Sequence, residues 1–272
     1  MAIVTVIIAV IVTVVISGKS MMQQAKLRAI ITEVSSIKAA LVTFRQKYTQ
    51  LPGDFTGAEG LWGTWGWDEG PGTANGDGDG RIATSGFEGA TAWQHLSLAG
   101  MIPGGYVLSA AIIWGTHIAV PGVYGAYPTA FSPNGGYGFL GPADDPAWSH
   151  YQVYRSPAIM LGAAKSSTDG TGNDTQEYGL LTPSDARYID QKMDDGDAGM
   201  GGVIGLTGLD YDFRTINGVY HWGWCTQGDW AAPLPQAYQV QLTQPACYMQ
   251  FRYDCGPGVL EELRRNVSCT QP

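Results

Sequence analysis

The N-terminal part of the chain carries two successive hydrophobic patterns. Residues Ala2–Ile16 are apolar apart from Thr5 and Thr13. The following residues are mostly polar, and apolar side chains recur there at steps of three and four, namely Leu27, Ile30, Ile31, Val34, Ile37, Leu41, Phe44 and Tyr48. This spacing is typical of one buried stripe on an amphipathic helix. Because no proline occurs before Pro52, the pattern predicts nearly one continuous helix over residues 1–50, about 75 Å long.

The apolar start has three interpretations: a removable signal peptide, a buried core helix, or a helix that rests in a membrane and later packs against copies of itself. As a helix, Ala2–Ile16 spans about 22 Å, less than the ~30 Å hydrocarbon core of a bilayer. No Lys or Arg precedes Lys19 and no A-x-A site follows, which disfavours a signal peptide. The amphipathic continuation favours the third interpretation. We therefore expect an apolar assembly or membrane segment (1–18), an amphipathic half (19–50) and a globular head (51–272).

The head is predicted to be α+β, with short helices, an antiparallel sheet and long loops. One helix is expected over residues 87–99, stopped by Gly100, with His95 as a structural residue on it. A second is expected after Thr182 as N-cap, with Pro183 at its first position. Short apolar runs broken by Gly, Pro and Asn predict strands; they include Tyr106–Leu108, Tyr151–Tyr154 and the segment that begins at Cys247.

Composition restricts the function. The chain has 272 residues with 15 Lys+Arg against 24 Asp+Glu, a formal charge of −9. This balance disfavours nucleic-acid binding, which requires a basic surface facing the phosphates. Neither H-E-x-x-H nor G-x-S-x-G occurs, so we expect no enzyme and no catalytic residues.

An alternating acidic motif is the strongest local signal in the head. Oxygen-bearing side chains at alternate positions, followed by Gly80 for a sharp turn, can converge on one hard cation. Ile82 stands where EF-hand-type loops place an apolar anchor, whereas the twelfth position is a glycine instead of the usual glutamate. The motif predicts a calcium site, and the alternative is a plain surface turn of Gly and Asp. The candidate ligands are Asn75, Asp77 and Asp79, the carbonyl of Arg81, and Glu88 as a bidentate ligand.

The cysteines all lie in the last fifth of the chain; they are Cys225, Cys247, Cys255 and Cys269. No C-x-x-C occurs, which disfavours a zinc knuckle or a thioredoxin-type site. An even count in a Gly- and Pro-rich tail favours two disulfides and an exported protein, although four buried free thiols are an alternative. Four cysteines allow three pairings.

Tryptophans form two clusters along the sequence, one of Trp62, Trp65 and Trp67 and one of Trp222, Trp224 and Trp230. Flat, exposed indole rings can stack on sugars, so a glycan is a possible ligand. The favoured interpretation is that these residues supply the core of the head and contacts between subunits, since Trp and Tyr carry much of the energy of interfaces.

Several motifs together resemble the type IV pilin and pseudopilin superfamily. They comprise the apolar start at Met1, the long helix, Lys47–Phe55 (KYTQLPGDF), Asn75–Ile82 (NGDGDGRI), Ala92–Leu96 with Leu98–Gly100, and Leu181–Ala186. The resemblance covers most of residues 1–104 and 180–203. It implies that the apolar helices form the core of a filament and that a sheet packs on the C-terminal half of the long helix. It also implies no catalysis.

The resemblance assigns assembly roles and partners. Met1 would be the processed first residue, Thr5 stands where pilins usually carry a glutamate that pairs with a neighbour's amine, and Val10 would lie in the filament core. Expected partners are copies of the chain in a helical homopolymer and, before assembly, the inner-membrane assembly machinery. The expected location is an extracellular filament, with the inner membrane before assembly.

The resemblance also favours one of the three disulfide pairings, Cys225–Cys247 with Cys255–Cys269, because pilin-like heads often close a C-terminal loop by a disulfide. Two other functions remain open. One is a minor pseudopilin at the tip of a type II-like secretion system. The other is a membrane-anchored protein that binds glycans.

Overall fold

The N-terminal part of the chain is one long helix, α1 (Ala2–Tyr48), in the computed structural model. The helix continues through Gly18 and ends at Tyr48 because Thr49 has a φ of 63°, which is outside the helical region. The structure describes residues 2–64, 72–82, 88–106, 127–133, 135–140, 158–163, 178–208, 215–216, 219–220, 224–227 and 236–253.

The predicted hydrophobic stripe of α1 is buried. Six of its members are nearly inaccessible to solvent: Leu27, Ile30, Val34, Ile37, Leu41 and Phe44. Ile31 and Tyr48 are partly buried against the same core. The three- and four-residue spacing therefore identified the face on which the rest of the protein packs.

Within the described parts of the chain, three short helices follow: α2 (Ala58–Trp62), α3 (Glu88–Leu98) and α4 (Pro183–Met193). Gly100 follows α3 with a φ of 72°, as expected for a residue that ends a helix. At the start of α4, the amide of Asp185 donates a 3.2 Å hydrogen bond to Oγ1 of Thr182. The predicted helices and their capping residues are thus confirmed.

The strands of the described residues are β1 (Tyr127–Pro128), β2 (Gly135–Leu140), β3 (Ala158–Ala163), β4 (Val203–Thr207), β5 (Thr215–Ile216), β6 (Val219–Tyr220), β7 (Thr226–Gln227), β8 (Ala237–Tyr238) and β9 (Cys247–Arg252). The central sheet is antiparallel and has the strand order β1-β2-β3-β9-β4. Among these strands, β5 also pairs with β6 and β7 with β8. The strand predicted to begin at Cys247 is confirmed, and it lies between β3 and β4. The strands predicted at 106–108 and 151–154 lie outside the described residues, apart from Tyr106.

One face of the sheet shares a hydrophobic core with α1. Alternate residues of the three neighbouring strands β2, β3 and β9 contribute to it: Tyr137, Phe139, Ile159, Leu161, Met249 and Phe251. Facing positions pair across the strands, as Ile159 does with Phe251. The α+β class is confirmed by this combination of a helix and an antiparallel sheet.

Candidate functional site

Two sequence motifs that are more than twenty residues apart meet at the end of α1. The turn after α1 carries Gly53 and Asp54, and the glycine-rich loop of residues 72–82 lies directly on it. The amide of Gly76 donates a 3.1 Å hydrogen bond to the carbonyl of Phe55. A Cβ atom at Gly76 would collide with the backbone of Gly53 and Asp54, so only glycine permits this close approach.

His95 connects this turn to α3. Its Nδ1 accepts a 2.9 Å hydrogen bond from the amide of Gly53. Its Nε2 lies 3.0 Å from Oγ1 of Thr73 and 3.1 Å from the carbonyl of Ala74. Burial lowers the pKa of His95 to about 4, so the ring is neutral at pH 7, and because Nδ1 accepts, the proton resides on Nε2. The contacts support the structural role predicted for this residue.

Three acidic side chains converge beside this contact. Asp54 in the turn, Asp77 in the loop and Glu88 at the start of α3 each present a carboxylate oxygen, and these oxygens lie within 4.8 Å of one another. Asp54 and Glu88 are buried, whereas Asp77 is exposed. The amide of Asp77 donates a 3.2 Å hydrogen bond to Oε1 of Glu88. The cluster therefore joins three separate segments of the chain.

Asp54 is the most buried acid of the cluster, with 1% of its surface exposed. The amide of Gly80 donates a 3.1 Å hydrogen bond to its Oδ2, while its Oδ1 has no hydrogen-bond partner among the described residues. Burial raises the pKa of Asp54 to about 6, the amides of Gly80 and Gly78 oppose that shift, and the charges of Glu88 and Asp79 add to it. One oxygen of the buried Asp54 carboxylate, Oδ1, therefore has no hydrogen-bond donor among the described residues.

The structure brings together two of the five predicted ligands, Asp77 and Glu88. Oδ1 of Asn75 accepts a 2.9 Å hydrogen bond from the amide of Glu59. Oδ1 of Asp79 accepts a 2.9 Å hydrogen bond from the amide of Arg81. Asn75 and Asp79 thus shape the loop by bonding to backbone amides.

Two further features of the loop concern its fold. Oδ1 of Asp77 accepts a 3.0 Å hydrogen bond from the amide of Asp79, which is another local turn bond. Ile82 is fully buried, in agreement with its expected role as an apolar anchor.

Asp54 was not among the ligands predicted from the sequence, because it lies about twenty residues before the loop motif. The signal that could have identified Asp54 is its position directly after Gly53, in the turn that follows α1.

A second acidic cluster consists of Asp190, Asp194 and Asp195 at the end of α4. Asp190 is fully buried, but both of its oxygens have partners: Oδ1 accepts from the amide of Gly196 at 3.1 Å and Oδ2 accepts from the hydroxyl of Tyr238 at 2.9 Å. Burial raises the pKa of Asp190 to about 7. These contacts fix the C-terminal end of α4 and the turn at Gly196 that follows it.

The first part of α1 carries an exposed apolar surface. Large apolar side chains between residues 3 and 15 are half to three-quarters exposed: Ile3, Val4, Ile7, Ile8, Ile11, Val12, Val14 and Val15. Further along α1, Nε2 of Gln23 donates a 3.0 Å hydrogen bond to Oδ2 of Asp185 in α4. Met1 and the side chains of Thr5 and Val10 lie outside the described residues. Within those residues, no helix combines the length and the apolarity needed to cross a bilayer.

Cys225 and Cys247 form a disulfide with a Cα–Cα distance of 5.0 Å, and both are fully buried. The bond attaches the segment of β7 to the start of β9. The favoured pairing of Cys225 with Cys247 is confirmed, while Cys255 and Cys269 lie outside the described residues.

Trp62 packs within an aromatic cluster that includes Phe44, Tyr48 and Phe55, with ring centroids 5.6–6.4 Å from its own. This contact agrees with the core interpretation for Trp62. Trp224 is partly buried, and the other tryptophans of the two clusters, Trp65, Trp67, Trp222 and Trp230, lie outside the described residues.

Comparison with known proteins adds no relative: no protein-family model, no curated protein and no solved structure matches the chain. Function is therefore inferred from the contacts, burial and charge described above.

Proposed function

We propose that this protein is a structural subunit of an extracellular filament of the type IV pilus class, which polymerises through the first part of α1. The observation that carries the proposal is the exposed apolar surface of residues 3–15, where eight large side chains are 49–76% exposed. Soluble monomers rarely expose a contiguous apolar surface of this kind, and its presence marks an interaction site.

The proposed occupant of this surface is the same segment of other copies. The exposed apolar side chains run from Ile3 to Val15, so about 13 residues, or about 20 Å of helix, present this surface to neighbouring subunits. When the apolar segments of neighbouring subunits pack side by side, each segment shields the apolar side chains of the other from water. Burying eight half-exposed side chains contributes on the order of 10 kcal/mol before the cost of association.

The charge of the chain supports the same arrangement. The segment from Ala2 to Ile16 has no charged side chain, whereas the whole chain has a formal charge of −9. Acidic heads repel one another when they are crowded together, and they remain hydrated on the outside of a filament whose core is apolar. Thr5 introduces no charge into that core, so the packing of apolar side chains alone would set the register.

The proposal includes a route to the filament and needs no catalysis. Before polymerisation the apolar segment rests in the inner membrane, and the assembly machinery of that membrane takes up the subunit. Burial of the segment between subunits then replaces its contact with lipid. The mature subunit is located in an extracellular filament.

Electron microscopy of material sheared from the cell surface tests the proposal, combined with mass spectrometry of the same material. Long fibres composed mainly of this chain are expected. Fibres that contain the chain only in trace amounts would support a minor pseudopilin instead. A cell-bound monomer that binds polysaccharide would support a membrane-anchored glycan-binding protein.

A further inference from the structure

We infer that Asp54, Asp77 and Glu88 form a binding site for one calcium ion, which joins the turn after α1, the glycine-rich loop and the start of α3. This inference goes beyond the proposed assembly function and does not depend on it. The three carboxylate oxygens lie within 4.8 Å of one another. That separation matches the diameter of a calcium coordination sphere, in which Ca–O distances are about 2.3–2.6 Å.

Burial of Asp54 is the second, independent observation. The residue is 1% exposed and its Oδ1 has no hydrogen-bond partner within the described part of the chain. A buried carboxylate oxygen without a donor costs free energy, and proteins retain such groups where they are paired or coordinate a metal. Since the carboxyl group of Asp54 belongs to the cluster, a bound cation supplies the missing partner.

The geometry of the loop is adapted to bring these acids together. Gly76 packs on the backbone of Gly53 and Asp54, a contact that any side chain would prevent. The amide of Asp77 reaches Oε1 of Glu88 at 3.2 Å, and this bond fixes the loop against α3. Without a cation, three ionised carboxylates repel one another in a small volume. When a cation is bound, the contacts of Gly76 and Asp77 hold the three carboxylates at coordination distance from it.

Calcium is the hard cation that suits the site best. It accepts six to eight oxygen ligands in flexible geometry, whereas Mg²⁺ requires a nearly ideal octahedron. Asp77 is exposed, so water can complete the coordination sphere. Calcium sites of the extracellular class bind with dissociation constants of about 10⁻⁴–10⁻³ M, and this range sets the calcium concentrations of the titration.

The test uses the full chain in mild detergent, with calcium chloride as the probe. Isothermal titration calorimetry measures binding, and circular dichroism measures the midpoint of thermal unfolding. We expect one calcium per chain. At 100 times the dissociation constant, the midpoint should rise by about 5–10 °C relative to a chelator, because the ion binds only the folded state.

Asp54→Asn is the decisive variant. The amide oxygen can accept from Gly80 and the amide nitrogen can donate to the neighbouring carboxylates, so the variant should fold. In chelator its midpoint should equal or exceed that of the wild type, because the substitution removes a buried negative charge of which one oxygen, Oδ1, has no donor among the described residues. It should not respond to calcium. Glu88→Gln provides a second variant with the same expected loss of the calcium response.

Matched controls come from acids outside the cluster. Asp79→Asn removes a charge from the same loop, and Asp195→Asn removes one from the second acidic cluster. Both variants should retain calcium binding within a few-fold of the wild type.

Three results would overturn the inference: a wild-type midpoint that is identical in calcium and chelator with no binding heat, wild-type affinity in Asp54→Asn, or an equal response to Mg²⁺ at the same concentration.

Discussion

The amide of Gly53 donates a 2.9 Å hydrogen bond to Nδ1 of His95, which lies 42 residues further along the chain. This bond holds the turn that carries Asp54 against the helix that begins at Glu88. Because burial lowers the pKa of His95 to about 4, the ring is neutral and accepts this bond at neutral pH. The acidic cluster is thus positioned by a neutral histidine.

His95→Ala should lower the free energy of unfolding by on the order of 2–4 kcal/mol, since it leaves the amide of Gly53 without an acceptor and opens a cavity in a fully buried site. Chemical denaturation measures the change. Leu98→Ala, on the exposed face of the same helix, is the control and should cost much less. Equal effects of the two substitutions would show that the His95 contacts do not stabilise the head.

Gly76→Ala should destabilise the head by about 1–3 kcal/mol or more, because the new Cβ collides with the backbone of Gly53 and Asp54. The same substitution at Gly60, in α2, meets no atom within 4 Å and should be neutral or slightly stabilising. Thermal unfolding of both variants is the measurement. A Gly76→Ala protein as stable as Gly60→Ala would contradict the close packing of the loop on the turn.

The titration of Asp190 should reduce stability as the pH rises. Burial raises its pKa from 3.8 to about 7, so between these values the folded state retains a proton that the unfolded state has lost. The free energy of unfolding therefore falls as pH rises through this range, by at most about 1.4 kcal/mol per pH unit for one group.

Asp190→Asn should remove this contribution, because its amide can still bond to Gly196 and Tyr238 but does not titrate. The measurement is the difference in unfolding free energy between the wild type and Asp190→Asn at several pH values. That difference cancels the opposite contribution of His95, whose lowered pKa makes stability rise with pH between about 4 and 6.5. A constant difference from pH 4 to pH 8 would be inconsistent with a raised pKa for Asp190.

Reduction of the Cys225–Cys247 disulfide should lower the free energy of unfolding by about 3 kcal/mol, since the bond closes a loop with a sequence separation of 22 residues. Peptide mapping under non-reducing conditions should recover these two cysteines in one linked peptide. Alkylation of both thiols in the denatured, unreduced protein would show that the bond does not form.

Local patterns predicted the helices α1, α3 and α4 and the strand that begins at Cys247. The steps of three and four from Leu27 to Tyr48 identified the buried face of α1, and capping chemistry at Thr182 identified the start of α4. Helix periodicity and capping are short-range properties that one stretch of sequence contains in full. The pairing of Cys225 with Cys247 came instead from the resemblance to pilins, since spacing alone left three pairings open.

The candidate cation site was predicted only in part because it is assembled by tertiary packing. Asp77 and Glu88 were named from a loop motif, and calcium binding there stays a prediction. Asp54 comes from another segment and reaches the cluster through the contact of Gly76 with Gly53. Asn75, a predicted ligand, bonds instead to the amide of Glu59. The local sequence of the loop does not determine which of its side-chain oxygens will face Asp54, because Asp54 belongs to another segment of the chain.

Assembly through the first part of α1 is tested most directly by two valines of the same helix. Val12 lies in the apolar segment and is 49% exposed, whereas Val42 lies beside the head and is 54% exposed. Val12→Lys places a charge in the proposed filament core without a partner and should abolish filaments. Val42→Lys adds the same charge to the same helix and should leave the filament yield unchanged. The measurement is filament yield by electron microscopy at equal amounts of folded subunit. Normal filaments from Val12→Lys would contradict polymerisation through this segment.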